Sequence, residues 1–257
     1  MRLLSWNLNY RVKQIHEQIA ALAACAADVL ALQEVSAKTA AIFHRELPQI
    51  GYPYVVDSFQ QARDLTLLTG PRRYGELVAS KWPLHPLPLF AHPWPERVLV
   101  VALETLTKTI HLYTTHIPPG ASNGWIKIEI LESLYAHLSV NRDIPRILCG
   151  DFNTPKEETV SGEVMTWGRA DSRWDAGERN ILLGLADAGW QDVYRFVHGY
   201  EVQEFSWYAR NQKGRRFDHI IASSTLLPGV QCCYIHSLRE RRLSDHSAIM
   251  ADFVLDV

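Results

Sequence analysis

The sequence predicts an α/β fold built as one domain over residues 1–257. Three observations carry this. The N-terminal stretch alternates strand-like and helix-like patterns, the middle is a succession of short apolar runs of strand length, and no linker-like shift of composition divides the chain. A fold of this size buries roughly three quarters of its unfolded surface, so it needs no disulfide or structural metal to supply a core.

In chain order, Arg2 to Leu8 reads as a buried strand. Val12, Ile15, Ile19, Leu22 and Ala26 then recur three and four residues apart, the stripe of an amphipathic helix. Val29 to Gln33 is a second short apolar run that ends at Glu34, and a helix is expected from Ala37 to Leu47, stopped by Pro48. Tyr52 to Val56, Leu77 to Ser80, Val98 to Thr105 and Thr109 to Thr115 read as strands, with a proline-rich loop from Pro83 to Pro95 among them. Trp125 to Leu138 reads as a helix with Ile128, Leu131, Leu134, Tyr135 and Leu138 on one face, and Arg146 to Cys149 as a buried strand. Residues 154–178, polar and glycine-containing, are expected to form a long surface loop. Arg179 to Ala188 is expected to be helical, and Phe217 to Ala222 and Ser247 to Val254 to be strands.

Composition narrows the class. Hydrophobic residues make up 47% and charged residues 21%, which excludes a disordered, collagen-like or coiled-coil chain. Lysine plus arginine number 26 against 28 acidic residues, a formal charge of -2, so any contact with nucleic acid requires a local basic surface. No apolar run approaches the roughly 20 residues of a membrane span, and the N-terminal apolar stretch is too interrupted for a signal peptide. Cys25, Cys149, Cys232 and Cys233 share no metal-ligand spacing and read as free thiols, which gives a cytoplasmic location as the expectation.

The polar residues that interrupt apolar runs are the informative ones. Asn7 ends the first strand, Glu34 the second, His116 a middle strand, and Asp151 and Asn153 end another in Leu-Cys-Gly-Asp-Phe-Asn. Asp218 opens a strand in Arg-Phe-Asp-His-Ile-Ile, and Asp245 and His246 precede the last in Ser-Asp-His-Ser. Taken singly, a strand-terminal Asn or Asp is a turn former and a lone His a structural group. Together they form a set of strand-end carboxylates and imidazoles. Burial of unpaired charge is costly, so such a set should converge on a cation, on one another or on a substrate.

Seven stretches in this order give the chain a resemblance. They are Ser-Trp-Asn-Leu-Asn (5–9), Leu-Gln-Glu-Val (32–35), Thr-His-Ile-Pro-Pro-Gly (115–120), Gly-Asp-Phe-Asn (150–153), Phe-Ser-Trp (205–207), Arg-Arg-Phe-Asp-His-Ile (215–220) and Leu-Ser-Asp-His-Ser (243–247). The sequence resembles the endonuclease/exonuclease/phosphatase superfamily, which includes DNase I, exonuclease III and the apurinic endonucleases, over almost its whole length. The resemblance implies a four-layer α/β/β/α sandwich of two packed mixed sheets and metal-dependent hydrolysis of phosphate esters. Glu34, Asn7 and Asp245 are then the expected metal ligands, and their hard oxygens favour Mg2+ or Mn2+. Asp151 is expected to orient and deprotonate the attacking water. Asn153 would hold that water or a phosphate oxygen. His246 would donate to a non-bridging oxygen, oriented from behind by Asp218.

His116 stands where the apurinic endonucleases carry a tyrosine, and here the chain looks more like DNase I. It is expected to donate a proton to the leaving oxygen, with Glu76 either its carboxylate partner or a solvated turn residue. The C-terminal third is most similar to the exonuclease III and apurinic-endonuclease branch. In that branch Trp207 would pack beside an extruded abasic sugar; a core position is its other reading. Lys213, Arg215 and Arg216, with Arg239, Arg241 and Arg242, are either a phosphate-binding surface or a solvated charged face. The expected function is a DNA nuclease, endo- or exonucleolytic, acting as a monomer. The alternatives are a phosphoesterase on a lipid head group, a nucleotide or a protein–DNA linkage, and a non-catalytic binding module of the same fold.

Overall fold

The first strand is buried on both faces, since residues 3–7 are all buried. A strand with no solvated face belongs inside a layered structure, and the rest of the chain builds those layers. A computed structural model describes residues 1–61, 64–140, 143–168, 170 and 172–255. Its strands are β1 (Arg2–Asn7), β2 (Val29–Ser36), β3 (Tyr54–Asp57), β4 (Tyr74–Ser80), β5 (Leu84–Pro86), β6 (Val98–Glu104), β7 (Thr109–His116), β8 (Arg146–Asp151), β9 (Glu157–Glu158), β10 (Val164–Met165), β11 (Trp190–Asp192), β12 (Trp207–Tyr208), β13 (Gly214–Arg215), β14 (Asp218–Ser223), β15 (Gln231–Ile235) and β16 (Ala248–Asp252). The α-helices are α1 (Ile15–Ala24), α2 (Ala37–Glu46), α3 (Gly120–Asn123), α4 (Ile126–Leu138), α5 (Arg173–Leu182), α6 (Val193–His198) and α7 (His236–Glu240).

Among the described residues there are two six-stranded mixed sheets, ordered β15-β16-β1-β2-β4-β3 and β11-β14-β8-β7-β6-β5, and two short ribbons. One apolar cluster lies between the sheets, where Leu3, Val29, Ala31 and Val78 meet Val101, Leu112, Ile147 and Ile220. A second lies outside the first sheet, where Ile19 and Leu22 of α1 and Phe43 of α2 cover Leu4, Trp6 and Leu30. A third lies outside the second sheet under Ile128, Leu131 and Leu134 of α4 and Ile181 of α5. The layers therefore run α/β/β/α, as expected. Among the described residues no helix is long and apolar enough to cross a membrane.

Local chemistry explains the boundaries. Ser36 and Thr39 form a reciprocal capping box that starts α2. Ile15, Ile19 and Leu22 are buried, while Val12, counted in the helical stripe, sits exposed in a 3-10 turn ahead of α1. The largest departure lies in residues 154–178, where residues 169 and 171 are outside the described set. Instead of one long loop, this stretch holds β9, β10 and the start of α5, and the helix expected over 179–188 begins at Arg173. The reason is that α5 buries polar residues. Ser172 caps it at Asp175 N, Asp175 accepts from Thr166 Oγ1 at 2.5 Å, and Glu178 is fully buried against Lys127. A face of this kind carries no apolar stripe to read. Strand β15, Gln-Cys-Cys-Tyr-Ile, was not expected either, because as an edge strand it has only a short alternation.

Behind the second sheet lies a buried ion network. Glu158 accepts from Arg216 Nε at 2.6 Å and from Arg195 Nη2 at 2.8 Å, and Arg216 Nη2 also reaches Asp192 Oδ2 at 2.8 Å. Burial alone would raise the Glu158 carboxyl, but the charge of Arg216 and the hydrogen bonds from both arginines outweigh it and hold the group down at about 2. Removing one partner strands the other charges in the interior, so Glu158→Ala should lower unfolding stability by about 3–5 kcal/mol in urea titration. The Glu158 contribution should be complete above its ordinary value of 4.5 and lost as pH falls through about 2, so the deficit of the variant should narrow in acid. An equal deficit at pH 7 and pH 2 would contradict this account.

Candidate active site

The central ladders bring the strand-end residues together. In the parallel pair β7–β8, His116 lies opposite Asp151, and in the antiparallel pair β8–β14, Asp151 lies opposite Asp218. This register requires a very close backbone approach at Gly150, which has φ +136 and where a Cβ would stand 1.9 Å from the Thr115 carbonyl oxygen. Glycine in Gly-Asp-Phe-Asn is therefore what seats Asp151 beside His116. From the other sheet, β1 delivers Asn7 and β2 delivers Glu34. The β2–β4 register shifts between Leu32 and Val35, and Glu34 takes φ +57 within that irregularity. Such a bulge turns a side chain out of the ladder.

The resulting cluster is buried and dense. Asn7 Nδ2 donates to Asp151 Oδ2 at 2.9 Å and to Glu34 Oε1 at 3.2 Å. Its Oδ1 accepts from the Asn9 backbone N–H at 2.9 Å, which fixes the orientation of the amide. Asn7 thus presents hydrogens, not its oxygen, to the two carboxylates, whereas the ligand role expected for it needs the oxygen there. His246 Nδ1 contacts Asp218 Oδ2 at 2.8 Å, and His246 Nε2 lies 3.7 Å from Asp151 Oδ2. Asn153, at φ +50, donates from Nδ2 to the Ile117 carbonyl at 2.9 Å, and its backbone N–H reaches Asp151 Oδ1 at 2.9 Å.

His116 has a different partner from the one expected. Its Nδ1 lies 2.5 Å from Arg97 Nη1, and Arg97 also donates to the Pro71 carbonyl. Arginine has no lone pair to offer, so Nδ1 accepts and the proton sits on Nε2, 3.5 Å from Glu34 Oε1. The Glu76 carboxyl, fully buried, lies beside the His116 backbone N–H and makes no side-chain hydrogen bond to the ring. Arg97 occupies the position at His116 that the expected pairing gave to Glu76.

Electrostatics follow from burial and from these neighbours. Burial pushes the Asp151 carboxyl up to about 7, with His246 and the hydrogen bonds from Asn153 and Asn7 opposing. Burial raises Glu34 and, more strongly, Glu76. His116 is pushed well below the ordinary imidazole value by burial first and then by the Arg97 charge. His246 moves the other way. Burial alone would lower it, but the carboxylates of Asp218 and Asp151 outweigh that and hold it up at about 10. One cluster therefore holds a neutral and a cationic imidazole.

The residues fit a divalent cation. Glu34 Oε2 is buried with no hydrogen-bond partner, and Asp218 Oδ1 likewise. Ligand atoms of Glu34, His116 and Asp151 lie within 4.8 Å of one another, as do those of Asp151, Asp218 and His246. Asp245 is exposed at the rim and accepts from Trp207 Nε1 at 3.2 Å. Trp207 is half-buried and stacks on Phe217 with centroids 5.4 Å apart.

The basic residues scatter. Arg216 is buried within the Glu158 and Asp192 network, so its charge is neutralised inside the fold. Arg215 is buried with its guanidinium over Trp167, and exposed Lys213 pairs with Glu157 at 2.7 Å. Several supporting residues escaped the sequence reading. Ser206 Oγ accepts from the Phe217 and Asp218 backbone N–H groups, and Ser244 Oγ donates to the Asn7 carbonyl at 2.6 Å. Both sit inside motifs already singled out, Phe-Ser-Trp and Ser-Asp-His, and that was their available signal. Arg97 and the buried Lys127, which donates to the Asn153 carbonyl at 2.9 Å, lie outside the seven stretches.

Known proteins resemble this chain in sequence and fold. An exodeoxyribonuclease of Streptococcus pneumoniae is 23% identical over 255 residues, covering 88% of this chain and 90% of that protein. Among solved structures, an AP endonuclease from Archaeoglobus fulgidus superposes with a TM-score of 0.75 at 22% identity, covering 99% of this chain and 100% of the other. A 3′ phosphatase, NExo, from Neisseria bound to a product DNA hairpin gives 0.74 at 20% identity, covering 99% of this chain and 100% of the other. At these identities the structures establish likeness of fold. The sequence profile described as the Endonuclease/Exonuclease/phosphatase family matches residues 4–246, an interval that takes in the whole cluster from Asn7 to His246, and the chain belongs to that family.

Proposed function

We propose that this protein is a divalent-metal-dependent phosphodiesterase acting on DNA, with one catalytic domain over residues 1–257. The observation that carries the reading is the convergence of Glu34 and His246 from one sheet with His116, Asp151 and Asp218 of the other around a carboxylate oxygen left without a partner. Glu34, with Asp151 or with Asp245 at the rim, would hold the cation, and their oxygens suit Mg2+ or Mn2+. When bound, such an ion screens the phosphate charge and supports the charge that develops on its oxygens.

The chain's own residues divide the remaining work. Asp151, held near neutrality by burial, is suited to accept a proton from water at physiological pH. Its Oδ1 is anchored by the Asn153 N–H and its Oδ2 by Asn7, which fixes the carboxylate plane. Asn7 acts here as the clamp that sets Glu34 and Asp151 against each other. His246 is a cationic donor, suited to a non-bridging phosphate oxygen, and Asp218 holds its ring. His116 is a neutral donor through Nε2 toward the leaving oxygen, with Arg97 holding the tautomer.

DNA is favoured over a small ester by the margin of the site. Arg11, Arg239 and Arg242 line a hollow of about 480 Å³ together with Tyr208 and Asp245, beside the cluster. Three guanidinium groups against one carboxylate suit the backbone of a polyanion. The names of the relatives, an exodeoxyribonuclease and an AP endonuclease, agree with a DNA substrate. The four unbridged cysteines agree with a reducing, cytoplasmic location.

Incision of DNA should require Mg2+ or Mn2+, stop with a chelator and return on adding the ion. Duplexes with and without an abasic site, assayed beside a phospholipid and a nucleotide monoester, decide the substrate. Activity confined to the small esters would defeat the DNA reading. Asp151→Asn should lower kcat by about 10²–10⁴-fold with the circular dichroism spectrum unchanged. Near-normal turnover by that variant would remove Asp151 from the role of base.

A further inference from the structure

Beside the catalytic cluster lies a cavity of about 550 Å³, lined by Trp167, Trp174, Trp207, Phe217, Lys127 and Asn153, with Pro119 to Ala121 completing its wall. Its volume lies in the roughly 300–1,000 Å³ range of small-ligand pockets. Its position ties it to the reaction. Asn153 belongs to the cluster, Phe217 precedes Asp218, and the Trp207 ring lies 6.5 Å from that of His246. A group entering it would be attached to whatever phosphate the cluster holds.

Two chain segments supply the rings. Trp207 and Phe217 come from the strand ends around β12 and β14, stacked on each other at 25°. Trp167 and Trp174 come from the stretch that was expected to be a surface loop. Trp174 sits where Gly120 leaves room, because a Cβ on Gly120 would stand 2.4 Å from its ring. Trp167 is 47% exposed, with Arg215 packed over its ring at 5.5 Å. Three indoles and Phe217 line the cavity, and one of the indoles, Trp167, is kept half in water.

Resting on the phosphodiesterase reading above, we propose that this cavity receives an unpaired nucleobase of the nucleotide whose phosphate is cleaved. Flat π-faces recognise bases by stacking, and stacking tolerates any base sequence. A paired base cannot reach the cavity, since it is held in the duplex stack and must be extruded or already single-stranded. A bare sugar would leave these ring faces without a partner. The preferred substrate is therefore a single-stranded or frayed strand that keeps its base at the cleavage site, ahead of a baseless one.

The test uses the full chain with a chelator present, so that nothing is consumed, and reads tryptophan fluorescence. A thymidine tetranucleotide should quench and bind on the order of 10-fold more tightly than the same tetranucleotide carrying one abasic analogue. Trp167→Ala should remove most of that preference, and Trp167→Phe should restore part of it. Equal binding of the two probes, or full preference in Trp167→Ala, would overturn the inference. So would stronger quenching by a tyrosyl phosphodiester than by the thymidine probe. Metal-dependent turnover measured in parallel separates the two claims. DNA cleavage without base preference retires the base pocket alone, and base preference without cleavage of any DNA retires the nuclease reading and keeps the pocket.

Discussion

Asp151 is the constraint on which the site depends. It is a carboxylate 1% exposed, paired by strand register with His116 on one side and Asp218 on the other. A buried carboxylate must be compensated, and the fold does this from every direction. Asn7 reaches it from the other sheet, Asn153 from the loop that follows, and His246 from the turn before the last strand. These donors arrive from widely separated parts of the sequence. Both sheets therefore have to pack in one relative position for Asp151 to be satisfied, and the same packing aligns the groups that surround a substrate phosphate.

The same logic explains why two histidines in one cluster differ in charge. His246 faces two carboxylates and stays protonated, whereas His116 faces a guanidinium and stays neutral. Arg97 sets that difference. It sits after a proline-rich loop, braced on the Pro71 carbonyl, and its charge also opposes the rise that burial imposes on Glu34 and Glu76. With Glu76 buried and making no hydrogen bond to the ring, the partner of His116 is a cation where the sequence suggested an anion. The consequence is a donor whose proton is held on Nε2 by tautomer and not by charge.

Much of the fold and most of the cluster were legible in the sequence, for a physical reason. A buried strand that ends on Asn, Glu, His or Asp breaks its own apolar pattern, and the break marks where the sheet edge carries chemistry. Asn7, Glu34, His116, Asp151, Asp218 and His246 were all readable in that way. Helix α5 was not, because its inward face is Asp175 and Glu178 neutralised by Thr166 and Lys127, and pairing partners distant in sequence leave no periodicity. Arg97 was hidden for the same reason, since its partners, the His116 ring and the Pro71 carbonyl, are distant in sequence. The amide orientation of Asn7 was out of reach as well, since it is decided by the backbone N–H of Asn9.

Charge shows where counting residues misleads. The formal value of -2 adds groups that the fold has already cancelled internally. Arg195 and Arg216 are spent on Glu158 and Asp192, Lys127 on Glu178, and Arg72 on Glu96, while Glu34, Asp151 and Asp218 face inward around the cluster. A polyanion approaching from outside does not meet that sum. It meets the rim, where Arg11, Arg239 and Arg242 share a hollow with Asp245. Field lines from a small patch fall off within a Debye length, about 8 Å in physiological salt, so this rim can hold a strand locally but cannot gather duplex over many turns. A weak grip on the backbone leaves recognition to the groups nearest the scissile phosphate. On this surface those are the indoles of Trp207, Trp167 and Trp174, whose stacking is insensitive to salt.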